Sequence, residues 1–179
     1  RQLLGHTSGL PDMTDASGSV GASERAAWTA VMQRPPEAAP GARFAYNQTN
    51  YALLARIVAR QSGMPYDRFV AQRQFAVAGM PASTFGDSYD LVPGAATVYA
   101  WSPRVSTAPD DADRLSRWIY DIPYGLWAGG GIQTNATELS RWLVALTGGR
   151  LLAPAEVDRM WVPEKTRDGA DGDWGAGWP

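Results

Sequence analysis

The sequence predicts a mainly α fold with one small β-hairpin, in a single domain over residues 1–179. Three observations carry this. Apolar residues recur at helical spacing in five or six separate segments. Only one run is β-branched, aromatic and bounded by turn residues, the signature of a strand. The 19 Gly and 13 Pro fall largely between the periodic segments, where they act as punctuation. An apolar fraction of 45% with 8 Trp is ample core material for one domain of this length.

The elements follow in order. Arg1–Leu4 reads as the end of a helix closed by Gly5, and residues 6–12 as a polar loop. Residues 13–22 are a Gly/Ser/Asp-rich loop. Ser23 caps a helix to about Gln33, with Trp28, Val31 and Met32 on its apolar side and Pro35-Pro36 as its stop. Pro40-Gly41 is a turn before an extended stretch containing Phe44 and Tyr46. Thr49 or Asn50 is expected to cap the next helix, whose apolar set is Leu53, Leu54, Ile57 and Val58, with Ser62-Gly63 as its end. Pro65 opens another helix, since proline is tolerated in a first turn; Tyr66, Phe69, Val70 and Phe75 form its apolar side.

Residues 95–101 are the strand, with a partner expected near Arg104–Thr107. Asp110, Asp111 and Asp113 are expected at the N-terminus of a helix that continues through Leu115, Trp118, Ile119 and Ile122 as its buried side. Thr134 or Asn135 caps the next helix, Asn135 having capping-box spacing to Glu138, and Leu139, Trp142, Leu143 and Leu146 line it. Pro154 opens a last helix through Val157, Met160 and Trp161. Residues 163–173 are turn-rich, and residues 174–179 read as a strand cut short. A first residue other than Met and this final stretch suggest a piece of a longer chain.

Composition excludes several function classes. With 16 basic and 18 acidic residues the net charge is −2, which gives no field for nucleic acid or a membrane surface. Zero Cys rules out disulfides, thiolate catalysis and Cys-ligated metal, and one His leaves little to hold a metal. Gly129-Gly130-Gly131 lacks the G-K-[ST] of a phosphate loop, so no nucleotide is expected. No cofactor is expected. The longest apolar runs are too short to span a bilayer.

The candidate site is Tyr46 with Gln48, a phenol and an amide on a loop that runs into a helix. From these residues alone two readings stand: a site, or a buried phenol beside a loop glutamine. A triad of His6, Ser8 and Asp12 is discounted, because residues so close in sequence rarely reach relay geometry. No G-x-S-x-G elbow is present either. His6 is expected to be a hydrogen-bonded structural residue.

Several stretches together resemble one family. Residues 1–11, RQLLGHTSGLP, resemble its RQLLSHTSGLP segment. Residues 44–54, FAYNQTNYALL, resemble FxYSNTNYxLL, and residues 62–66 its SGMPY continuation. Residues 92–99 resemble VPGRAxGY, residues 128–134 AGGLxST and residues 174–178 YGLGW. They occur in the family's order and cover most of the chain. The family is the serine β-lactamase-related hydrolases: class C β-lactamases, D-alanyl-D-alanine carboxypeptidases and allied esterases.

The resemblance implies an acyl-enzyme mechanism. A Ser in S-x-x-K attacks the substrate, the Tyr of Y-x-N moves protons with the Lys, and a K-T-G or H-x-G motif lies on a late strand. Tyr46 matches the tyrosine; Gln48 stands where the pattern has Asn and would contact substrate. The single lysine, Lys165, has Val162 three residues before it, so no S-x-x-K exists in this chain. Lys165-Thr166-Arg167 does not make the third motif, having Arg in place of Gly.

The expectation is therefore the helical region of a larger α+β hydrolase, truncated at both ends, with most of the sheet and the nucleophile missing. Such a chain would be inactive alone and would self-associate through the apolar face left exposed. Its parent would act on a β-lactam, peptide or ester acyl substrate. The family implies a periplasmic, cell-envelope or secreted location. The alternative is a non-catalytic ligand- or peptidoglycan-binding module on the same scaffold.

Overall fold

The computed structural model describes residues 1–14, 23–101, 115–170, 172 and 174–178. Its helices are α1 (Glu24–Gln33), α2 (Gln48–Ser62), α3 (Tyr66–Val70), α4 (Ala76–Ala78), α5 (Trp127–Gly130), α6 (Ala136–Thr147) and α7 (Pro154–Met160). A π turn over Ala71–Phe75 joins α3 to α4, and a 3-10 turn over Tyr124–Leu126 leads into α5. The strands are β1 (Thr84–Phe85), β2 (Tyr99–Trp101), β3 (Leu115–Arg117) and β4 (Ile132–Gln133). They form two antiparallel pairs, β1 with β4 and β2 with β3. The fold is mainly α, as predicted, though with two small sheets where one hairpin was expected. No described helix is long and apolar enough to cross a membrane.

Local signals place several elements. Ser23 caps α1 by accepting from the Ala26 amide. Gly63 ends α2 in left-handed backbone at φ 70°, which glycine adopts without a Cβ clash. Asn135 caps α6 by accepting from the Glu138 amide at 2.9 Å. The reciprocal half of that capping box is absent. The Glu138 carboxylate instead accepts from the Ala82 amide at 2.9 Å and the Ser83 hydroxyl at 2.6 Å. It thereby ties α6 to the approach to β1.

The segment from 115 corrects the predicted helix. Leu115, Ser116 and Arg117 pair with Trp101, Ala100 and Tyr99. The side chains alternate, with Ser116 buried between exposed neighbours, which is the period of a strand. Leu115, Trp118 and Ile119 are all exposed rather than buried. Apolar spacing alone suited a helix; β2 supplied long-range backbone partners that the spacing could not reveal. The strand partner was expected at Arg104–Thr107. Those residues, and Asp110, Asp111 and Asp113, lie outside the described residues, as do residues 15–22 of the Gly/Ser/Asp-rich loop.

Other expectations change at the surface. Met32, Ile57, Leu139 and Leu143 are exposed, although their spacing put them on buried sides. Residues 174–178 form a turn rather than a strand, with the Gly175 amide donating to the Trp178 carbonyl at 2.7 Å.

The described apolar interior has two parts. Met13, Ala27, Trp28, Val31 and Ala52 pack between α1 and α2. Val70, Phe75, Ala78, Met80 and Ala145 pack between the α3–α4 rod and α6. Phe85 extends the second part, with its ring stacked on Trp127 at 5.4 Å. Trp142 joins α6 to the π turn by donating to Gln74 at 2.9 Å.

Candidate active site

The stretch before α2 runs extended into its cap at Asn47, where φ is −162°. The cap thus lies earlier in the chain than Thr49 or Asn50, the positions expected. The Asn47 side-chain oxygen accepts from the Asn50 amide at 3.2 Å, and its Nδ2 donates to the Leu10 carbonyl at 2.5 Å. The first free amide of α2, that of Gln48, donates to both oxygens of Asp12 at 3.2 and 3.3 Å. A carboxylate there complements the positive end of the helix dipole.

Thr49 and Asn50 are fully buried for other reasons. The Thr49 hydroxyl donates to the Pro11 carbonyl at 2.8 Å. Asn50 accepts from the Ser8 hydroxyl at 2.6 Å and lies 3.1 Å from His6 Nδ1 through its Nδ2. Thus α2 begins on a bed of buried polar groups from the 6–12 loop, in which the side chains of Asn47, Thr49 and Asn50 all find partners and the Thr7 hydroxyl has none. Buried polar groups need such partners, because an unsatisfied one costs its full desolvation.

His6 lies at the centre of this bed and is 2% exposed. Its Nδ1 accepts from the Asn47 backbone amide at 3.2 Å, and its own carbonyl accepts from the Ala45 amide at 2.8 Å. A backbone N–H is only a donor, so Nδ1 carries no proton and the neutral ring is protonated at Nε2. Burial pushes the His6 pKa below its ordinary value, and the Asp12 charge partly opposes this. The aromatic rings of Tyr46, Tyr51, Trp174 and Phe44 surround it, with centroids at 4.5, 5.2, 5.6 and 6.1 Å. Tyr51 donates to the Leu4 carbonyl at 3.1 Å. Burial raises the Tyr51 phenol above its ordinary pKa, and nearby Tyr46 adds to this.

Tyr46 rises from this base into solvent and is 53% exposed. It is not the buried phenol of the alternative reading. Its hydroxyl accepts from Gln48 Nε2 at 3.4 Å, so the two predicted residues meet. The other end of the Gln48 amide faces α5: a Cβ added at Gly129 would fall 2.5 Å from Gln48 Oε1. Of the three glycines, Gly129 is the one that leaves room for this longer amide; a Cβ at Gly131 would meet Trp127 instead. Asn47 has a structural role that the sequence did not single out, and Asp12 and Asn50 have roles other than those weighed for them, in a triad and as a cap. Ser8 bonds to Asn50 and not to His6, so no Ser-His-Asp relay forms. Among the described residues no group of His and acidic side chains is arranged to hold a metal.

The family model described as Beta-lactamase matches residues 1–179. The chain belongs to the beta-lactamase family. Among beta-lactamase-family relatives, Penicillin-binding protein 4* of Bacillus subtilis is 27% identical, over 99% of this chain and 42% of its own length. The D-stereospecific amidohydrolase of Streptomyces superposes with a TM-score of 0.73 at 22% identity, covering 99% of this chain and 55% of that one. The D-amino acid amidase of Ochrobactrum anthropi SV3, solved with L-phenylalanine amide, gives 0.70 at 26% identity, over 89% of this chain and 47% of that one. The beta-lactamase-like fold inferred from the sequence is thus shared with solved structures. The chain spans about two fifths of the length of the curated relatives it matches.

Proposed function

We propose that residues 1–179 are the helical part of a serine acyl hydrolase in which Tyr46 moves protons during acyl transfer. The observation that carries this is an exposed phenol, paired with an amide, standing on a rigid buried polar base. With no S-x-x-K within these residues, the nucleophilic Ser and its Lys come from outside them. In the reaction the Ser hydroxyl loses its proton to the Tyr46–Lys pair as its oxygen bonds to the substrate carbonyl carbon. The phenol then protonates the leaving nitrogen or oxygen as that bond breaks. Water repeats the cycle and frees the Ser. Gln48 offers the substrate one amide donor and one acceptor. The likeness to the D-amino acid amidase favours an amide of a D-amino acid, with β-lactams and esters open to the same chemistry.

Two assays test this. A fluorescent penicillin and 4-nitrophenyl butyrate should leave the 179-residue chain unlabelled and label the full-length protein at one Ser. Stoichiometric labelling of the short chain would overturn the missing nucleophile. In the full-length protein, Tyr46→Phe should lower kcat about 10²- to 10⁴-fold; full activity would overturn the role of Tyr46. A full-length reading frame without S-x-x-K would favour the binding module. Exposed Leu139, Leu143, Val144, Trp161 and Val162 support self-association of the isolated chain, which a clean monomer in sedimentation would refute. Export to the envelope is proposed on the resemblance, and fractionation tests it.

A further inference from the structure

We propose that His6 is a positioning residue for Tyr46, holding the loop on both sides of the tyrosine through Nδ1 as an obligatory acceptor and through its own carbonyl. The role rests on the acid–base reading of Tyr46. The geometry is specific. The His6 carbonyl takes the amide of Ala45, immediately before Tyr46, and Nδ1 takes the amide of Asn47, immediately after it. The imidazole also lies against the Tyr46 ring, at 4.5 Å and 35°. The tyrosine is thus gripped by its two neighbours and by its face.

The backbone at His6 supports the same conclusion. Its φ is +52°, the one left-handed residue other than glycine among those described. His is among the residue types enriched there, but the conformation still carries strain that the surroundings must hold. The strain turns the side chain and the carbonyl of one residue toward the same strand of loop. Asn50 completes the clamp: its Nδ2 approaches Nδ1, and its Oδ1 is occupied by Ser8.

Protonation of Nδ1 would set two N–H donors facing each other. The groups that face the ring are few. Asp12 comes from the 6–12 loop, Tyr46 from its own loop and Tyr51 from α2; Phe44 and Trp174 carry no charge. Glu164, beside Gly5, is paired with Arg1 at 2.9 Å. Only Asp12 favours the cationic ring, and its carboxylate is already shared with the Gln48 amide. Acid should therefore release the loop, and Tyr46 with it, before the surrounding helices unfold.

The test uses the full-length protein and 4-nitrophenyl butyrate. His6→Asn keeps an acceptor oxygen near the Nδ1 position and suits left-handed backbone, but does not titrate. His6→Gln carries the amide past that position. His6→Asn should keep kcat within about threefold and change the acid limb of the kcat profile by removing the His6 titration, while His6→Gln should lower kcat about tenfold or more with KM nearly constant. A long-range 1H–15N spectrum, with His6 assigned by difference against His6→Asn, should show a bare Nδ1 and protonated Nε2. The Asn47 amide shift should follow the imidazole titration. A protonated Nδ1, wild-type kcat in His6→Gln, or parallel loss of kcat and melting temperature in both variants would overturn the clamp. Full activity in Tyr46→Phe would refute the acid–base reading alone, and the spectrum would still decide the clamp.

Discussion

Around Val70, Phe75, Ala78 and Ala145 the interior is apolar, whereas beneath Tyr46 the buried side chains are His6, Thr7, Ser8, Asn47, Thr49 and Asn50, all hydrogen-bonded except the Thr7 hydroxyl. Both regions join segments distant in sequence, but they do so with different forces. Apolar burial is non-directional and scales with area, so it fixes distance between α4 and α6 more than angle. The hydrogen bonds under Tyr46 have preferred lengths and angles, and each missing partner leaves a desolvated group behind. The scaffold is thus held by burial, and the loop with the candidate catalytic group by direction. A tyrosine that must meet a substrate atom needs the second kind of support.

The largest expected effect lies in the apolar region. Phe75→Ala leaves a cavity among Phe85, Val70 and their neighbours and should cost about 3–5 kcal/mol in denaturant unfolding. The next sharpens the comparison. Asn50→Leu nearly conserves volume but strips Ser8 of its acceptor and His6 of one donor; it should cost about 2–4 kcal/mol.

The equivalent shape-conserving change in the apolar region, Met80→Leu, should cost less than about 1.5 kcal/mol. If Asn50→Leu proves as mild as Met80→Leu, the contrast between the regions fails.

Acid should separate the regions further. The folded-state pKa of His6 is lowered, so its contribution to stability is complete above its ordinary value of 6.5 and is lost as pH falls below that through the folded value. Glu138 also has a lowered pKa, despite the opposing effect of burial, because Ser83 and the amides of Ala82 and Ser83 bond to its charged form. Its contribution persists above 4.5 and is lost only at lower pH. Unfolding followed at Trp174 beside His6 and at Trp142 on α6 should therefore diverge below about pH 6. Coincident acid transitions at both tryptophans would show one cooperative unit.

Much of this was legible from neighbours in the chain. Ser23, Gly63, Asn135 and Pro154 act on residues within a few positions, and their elements begin or end as predicted. The pairing of Tyr46 with Gln48 was legible for the same reason, being two residues apart. Apart from the bend at residues 174–178, the failures in placing elements and caps depend on remote partners. β3 needed β2, and Glu138 chose Ala82 and Ser83 over its own helix terminus. The cap of α2 moved to Asn47 because its amide and side chain are bound by His6 and Leu10, while Thr49 and Asn50 answer Pro11, Ser8 and His6.

By itself the sequence determined the mainly helical class, the ordered motifs of the family, and the absence of any S-x-x-K within these residues. These depend on periodicity, local caps and counting, which need no partner from elsewhere. Tertiary structure alone decided that Tyr46 stands exposed, that Gly129 faces Gln48, and that a buried neutral His6 grips the loop on both sides of the tyrosine. Those facts arise where residues some forty positions apart must satisfy one another's hydrogen bonds away from water, and no local pattern encodes such a match.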